Sequence, residues 1–142
     1  MRVYFDSSAL LKRTLEEAES DALENEAQRL VKDGSSLLSS SLAWVEVSRS
    51  LRARLDVESP GVIAELIDAT LADIVASPIS SEVIDIARRL GPSTIRSLDA
   101  IHLATAILVS ADLVCAYDQR LLTAASELGF RTISPGTLSP TP

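Results

Sequence analysis

The chain has very little of what staples or metallates a small protein: its 142 residues include one cysteine and one histidine. A single thiol, Cys115, excludes an internal disulfide, and its apolar surroundings mark it as buried filler. One cysteine and one histidine also exclude the Cys/His cluster of a structural zinc site. Long hydrophobic runs are missing too. The longest, around Leu98 to Val109, is too short to span a bilayer and carries Asp99 and His102. No basic segment followed by an apolar stretch opens the chain, and Arg2 to Phe5 already reads as a core strand. A cytoplasmic protein with no membrane partner is expected. Positive charge is scarce, with a net charge of −7, which by itself argues against a phosphate-binding partner. Against that, 11 of the 13 basic residues are Arg, the side chain suited to bidentate phosphate contact. Acidity also favours a basic protein partner, and it tolerates a nucleic acid where divalent metals neutralise the cleft.

What is present is a globular composition, 46% hydrophobic and 23% charged, over a length suited to one domain with a sizeable core. Strand and helix patterns alternate along it. Arg2–Phe5 reads as a strand, followed by helices over Ser8–Leu15 and Ala18–Val31. Ser36–Ser39 is a second strand. The next helix, Leu42–Leu55, has Ala43, Trp44, Val47, Leu51 and Leu55 on one face. Pro60 opens a helix to about Leu71, Asp73–Ala76 is a short strand, and Glu82–Leu90 a helix stopped by Gly91-Pro92. Ser97 is expected to cap a very apolar helix, Leu98–Val109. A strand follows at Leu113–Tyr117, a helix at Gln119–Leu128 capped by Asp118, and a last strand at Phe130–Ile133. This alternation predicts an α/β fold: one domain with a parallel sheet of about five strands and helices on both faces. The domain is expected over residues 1–134, with 135–142 as an irregular C-terminal tail.

Ligands of such sheets bind outside the carboxyl ends of the strands, so each acid can be sorted by the strand end it touches. Asp6 and Asp118 follow strands directly. Glu46 lies one helical turn past the second strand, and Asp99 sits in the first turn of the most apolar helix. Asp33, Asp73 and Asp112 precede strands and belong to the opposite edge. Asp112 and Asp118 flank one strand and are therefore on the order of 20 Å apart at ~3.3 Å per residue. Each candidate also has a structural explanation. Asp6 and Asp118 suit helix N-caps, Asp99 complements a helix dipole, and Glu46 can pair with Arg49 one turn on. Convergence favours a site, because carboxylates crowded at one edge repel unless a cation lies among them. Oxygen donors suit Mg²⁺ or Mn²⁺.

Four stretches, "VYFDSSALLK", "SSSLAWVEVSRSL", "SLDAIHLATA" and "CAYDQRLL", resemble in order and spacing the PIN-domain ribonucleases. Among these the VapC toxins of bacterial VapBC toxin–antitoxin pairs look most similar. The resemblance runs from about Arg2 to Ile133, and "LDAIHLATA" is its most specific part. It implies a PIN-like domain with sheet order 3-2-1-4-5 and a Mg²⁺-dependent endoribonuclease activity, with Mn²⁺ as a possible substitute. It further implies a catalytic, metal-holding quartet of Asp6, Glu46, Asp99 and Asp118, with Ser8 in support, and as partners an RNA substrate, a VapB-type antitoxin and a second copy of the chain. One departure stands out: many relatives have Thr two places before the last acid, where this chain has Ala116. Arg13, Arg49, Arg52, Arg96 and Arg120 are candidates to steer RNA backbone, with Arg96 and Arg120 preferred. His102, among Ile101, Leu103 and Ala104, reads as a packed helix residue rather than a base. Tyr4 and Tyr117 read as core, and Trp44 as core or dimer contact.

Two enzymatic rivals fit less well. A haloacid-dehalogenase-type phosphatase needs a second Asp two places after the first, where Ser8 stands. A receiver domain needs its acceptor Asp after the third strand, and Asp73 precedes it. From another class, a PIN-like module that binds RNA or protein without cutting remains the alternative.

Overall fold

A computed structural model describes residues 1–137. The elements run β1 (Arg2–Phe5), α1 (Ser7–Leu11), α2 (Ser20–Lys32), β2 (Ser36–Ser40), α3 (Leu42–Arg54), α4 (Pro60–Leu71), β3 (Ile74–Ser77), α5 (Ser81–Ala87), α6 (Ser97–Leu108), β4 (Leu113–Cys115), α7 (Gln119–Glu127) and β5 (Arg131–Ile133). The strands form one parallel sheet in the order β3-β2-β1-β4-β5, as the family resemblance implied. Most of the tail expected at 135–142 lies outside the described residues.

The central strand explains the layering. Val3, Tyr4 and Phe5 are all buried, the continuous apolar run of a parallel strand covered on both faces. Their side chains alternate between those faces. Val3 and Phe5 join Leu10, Leu23, Leu30, Val47, Leu51 and Ile63 in one core, built from β1 with α1 to α4. Tyr4 joins Leu103, Val114, Leu121 and Ala125 in the other, under α6 and α7. Trp44, Leu11 and Leu15 pack half-buried against the first core, and Leu10 and Leu51 lie fully inside it. Cys115 is buried there as well. Among the described residues no helix is long and apolar enough to cross a membrane.

Some element ends differ from the sequence expectation. Helix α1 stops at Leu11 rather than Leu15. The next turn tightens, with Arg13 N and Thr14 N donating to Leu10 O and Leu11 O. Arg13 then reaches across to α4, donating to Thr70 O and Ala72 O at 3.0 and 2.8 Å and pairing with Glu24 at 3.2 Å. That engagement closes the C-terminal end of α4 and removes Arg13 from the candidates for RNA contact. At α6 the N-cap is Arg96, not Ser97, and the Asp99 carboxylate takes the Arg96 N–H at 3.2 Å. Strand β4 ends at Cys115 rather than Tyr117, because the Tyr117 N–H leaves the ladder for the Ser8 hydroxyl at 3.0 Å.

Candidate active site

The order β2-β1-β4 makes the carboxyl end of β1 the switch point: the chain moves outward to one side through β2 and β3, then to the other through β4 and β5. Asp6 stands there. It is the N-cap of α1, 4% exposed, with Oδ1 accepting from Ala9 N at 2.9 Å and from Ser8 Oγ at 2.6 Å. Ser8 Oγ in turn accepts from Tyr117 N, so this hydroxyl ties the end of β1 to the end of β4. Ser8 therefore acts on Asp6 by orientation, with its proton committed to the carboxylate.

Asp118 caps α7, its Oδ1 accepting from Arg120 N at 2.9 Å and Leu121 N at 3.3 Å. Asp99 uses Oδ2 for the Arg96 N–H. Glu46 projects from the second turn of α3, and its Oε1 accepts from Ser7 Oγ and His102 Nε2, each at 2.6 Å. It makes no ion pair with Arg49 among the described residues, contrary to that simple expectation. Glu46, Asp99 and Asp118 line one cleft of about 650 Å³ together with Arg96, Ser97, Leu98 and Arg120. Asp6 does not line that cleft. It is nonetheless near enough to Asp118 for their charges to interact. Asp112 is elsewhere, accepting from Arg2 N at 2.7 Å where β1 begins.

One pattern unites the four acids. Each holds its local protein partners with a single oxygen: Asp6 Oδ1, Glu46 Oε1, Asp99 Oδ2 and Asp118 Oδ1. No donor among the described residues reaches the second oxygen of any of them. A helix cap or hydrogen bond explains the engaged oxygen, and the same single-oxygen engagement occurs at Asp112 on the opposite edge.

The electrostatics agree. Burial pushes the Asp6 carboxyl up to about 6; Ser8, His102 and Ala9 pull it down, and Asp118 pushes it further up. For Glu46, burial raises the pKa, but the hydrogen bonds from His102 and Ser7 outweigh it and leave the group below the usual carboxylate range. Carboxylates gathered beside a buried one are costly; Arg96 and Arg120 on the cleft wall offset part of that charge, and a hard cation would offset more. All-oxygen donors suit Mg²⁺ or Mn²⁺, so the residues fit such an ion by chemistry. The arrangement is not closed around one: among the described residues no three His, Cys, Asp or Glu stand together in a ligating group.

The sequence reading missed part of this site. Tyr4, Ser7 and His102 form a buried polar network behind Glu46, with Tyr4 Oη 2.6 Å from His102 Nδ1. The signal was present: His102 lies one turn beyond Asp99 on a helix otherwise apolar, and Tyr4 faces that helix by strand alternation. Tyr117 is only half-buried, its hydroxyl donating to Pro135 O at 2.7 Å and its ring 4.6 Å from Lys12 Nζ.

Residues 3–127 match the family model for the PIN domain. The chain is 37% identical over 138 residues to "Ribonuclease VapC47" of Mycobacterium tuberculosis (strain CDC 1551 / Oshkosh), covering 96% of this chain and 98% of that one. It is 39% identical over 135 residues to "Ribonuclease VapC46" of strain ATCC 25618 / H37Rv, covering 94% and 97%. Among solved structures it is similar in fold to VapBC2 from Rickettsia felis bound to a promoter DNA fragment, with a TM-score of 0.72 at 12% identity over 94% of this chain and 98% of that chain. It is likewise similar to the sarcin-ricin loop cleaving toxin VapC20 of M. tuberculosis, with a TM-score of 0.68 at 15% identity over 94% and 99%.

Proposed function

This chain belongs to the PIN-domain family, among the VapC ribonucleases, and from that premise we propose that it is a Mg²⁺-dependent endoribonuclease, the toxin of a type II toxin–antitoxin pair. The observation that supports the site assignment is the cleft shared by Glu46, Asp99 and Asp118 at the carboxyl edge of the sheet, with Asp6 close enough to Asp118 for their charges to interact. Asp6, Asp99 and Asp118 would hold the cation, with Glu46 beside it. When bound, Mg²⁺ or Mn²⁺ raises the acidity of an attacking water and neutralises charge growing on the phosphate.

The chain's own groups do the rest. Glu46 Oε2 orients the attacking water or takes its proton, and a carboxyl held below its usual range favours orientation. Arg96 and Arg120, on the cleft wall, supply the positive charge that an RNA backbone needs beside so many acids. Attack by water rather than the ribose 2′-hydroxyl leaves 5′-phosphate and 3′-hydroxyl ends. The domain we assign spans residues 1–134, works in the cytoplasm as a homodimer, and is silenced by a VapB-type antitoxin. The open spacing of the acids favours a second reading, a non-cleaving module that binds RNA or protein. Incubation of purified protein with RNA in Mg²⁺ and in chelator decides between them. Cleavage only in Mg²⁺, with 5′-phosphate ends, is expected; intact RNA in both would leave the binding module.

Arg96→Ala and Arg120→Ala give a further expected outcome. Each should weaken RNA binding broadly across sequences and reduce the slope of log affinity against log salt by about 0.7, the value for one phosphate contact on a single strand. Arg13→Ala should leave that slope unchanged. Titrations at several salt concentrations, in an Asp6→Asn background to prevent cleavage, measure it.

A further inference from the structure

Behind Glu46 runs a chain of hydrogen bonds whose direction is fixed at both ends. The Ser40 backbone N–H can only donate, and it reaches Tyr4 Oη at 3.1 Å. The Glu46 carboxylate can only accept, and Oε1 lies 2.6 Å from His102 Nε2. Between them Tyr4 Oη and His102 Nδ1 are 2.6 Å apart. With the Ser40 N–H accepted, the phenol's own proton is free for Nδ1, and Nε2 must carry the proton given to Glu46. The sequence of donors is then Ser40 N–H to Tyr4 O–H to His102 Nδ1, and Nε2–H to Glu46. Tyr4 and His102 are 1% and 3% exposed, so water does not compete for these bonds.

The geometry points to Tyr4 and His102 as positioning residues that, with Ser7, lock Glu46 Oε1 and so present Oε2 to the cleft. His102 is buried and does not line the cleft, so it acts through Glu46. Its place on α6, three residues after Asp99, lets one helix set the orientation of two of the four acids. Ser7, the first residue of α1, adds the second bond to Oε1, so the carboxylate is clamped from two elements. A glutamate with three rotatable bonds, half-exposed on a helix, would otherwise sample several rotamers, and catalytic orientation is sensitive to such freedom.

This inference rests on the nuclease reading for its kinetic part only. The chain has one histidine, so long-range ¹⁵N spectra of the metal-free protein report this imidazole without overlap. The expected result is one tautomer, protonated at Nε2, and a perturbed Nδ1 signal in Tyr4→Phe. In RNA cleavage, His102→Ala should lose about a hundredfold in kcat with KM little changed, the scale of a misplaced catalytic group. His102→Gln, whose amide N–H can reach the same oxygen, should recover most of that. Should His102→Ala fail to fold, His102→Gln and Tyr4→Phe carry the comparison. An Nδ1-protonated or rapidly averaging imidazole overturns the proposal. So does full activity in His102→Ala, and so does a loss in His102→Gln as large as in His102→Ala, which would make proton exchange the role. A parent protein that cuts no RNA would contradict the nuclease reading alone, since the tautomer stands independently.

Discussion

Asp6→Asn is expected to abolish Mg²⁺-dependent RNA cleavage and at the same time to stabilise the metal-free protein. The two effects share one cause. Burial pushes the Asp6 carboxyl up to about 6, above its value in an unfolded chain, so the folded state keeps a proton that the unfolded state gives up. Stability linked to this group is therefore greatest at low pH and falls as pH rises through about 6. At neutral pH the charged carboxylate costs on the order of 2–3 kcal/mol relative to a neutral group in its place. Asn keeps an oxygen to accept from Ala9 N and Ser8 Oγ, and it is as good an N-cap as Asp. The substitution removes the charge and retains the shape. Denaturation in chelator at pH 5 and at pH 7.5 should show the unmodified protein losing stability between them and Asp6→Asn losing less. Its gain at pH 7.5 should be on the order of 1–3 kcal/mol. Cleavage by Asp6→Asn at the parent rate would remove Asp6 from the chemistry.

The second large effect separates structure from function at Asp118, whose Oδ1 caps α7 and whose Oδ2 meets no protein donor among the described residues. Asp118→Asn preserves the cap and should change stability by less than about 0.5 kcal/mol, yet cut RNA cleavage at least about a hundredfold, the scale of one lost electrostatic contact to a transition state. Asp118→Ala should lose both, with about 1 kcal/mol of stability gone along with the cap. If Asp118→Asn cleaves normally and only Asp118→Ala is impaired, Asp118 is a cap and nothing more.

The parts of this fold legible in the sequence are those set by local patterning. The apolar run of β1 ending on Asp6, the amphipathic faces of α2 and α3, and Pro60 at the start of α4 each record a local preference strong enough to survive tertiary packing. The acids were sortable because a parallel sheet gives its two edges different uses, and Asp112 at the far edge follows the same rule. Element ends that depend on distant partners were not legible. Nothing near Leu11 in sequence announces that Arg13 will turn away to close α4, and nothing near Tyr117 announces that Ser8 will take its N–H. The start of α6 differs in kind: the N-cap falls on Arg96, whose N–H the Asp99 carboxylate accepts three residues on, a local choice in place of Ser97.

The network of Tyr4, Ser7 and His102 was missed for a related reason. A histidine among apolar helix neighbours and a tyrosine in a buried strand each have a bland local reading, and both readings are true of their burial. Only the tertiary fold, which brings Tyr4 of β1 against His102 of α6 and His102 against Glu46 of α3, makes them neighbours. What sets Glu46, Asp99 and Asp118 apart from Asp112 is likewise a three-dimensional fact, the cleft they share at the carboxyl edge of the sheet.

That fact can be examined directly by anomalous diffraction from crystals of the protein soaked in Mn²⁺. A peak bounded by the free oxygens of Asp6, Asp99 and Asp118, with Glu46 alongside, lost in Asp6→Asn crystals, is the predicted result. A cleft without a peak in crystals of a protein that cuts RNA in the same Mn²⁺ buffer would contradict it.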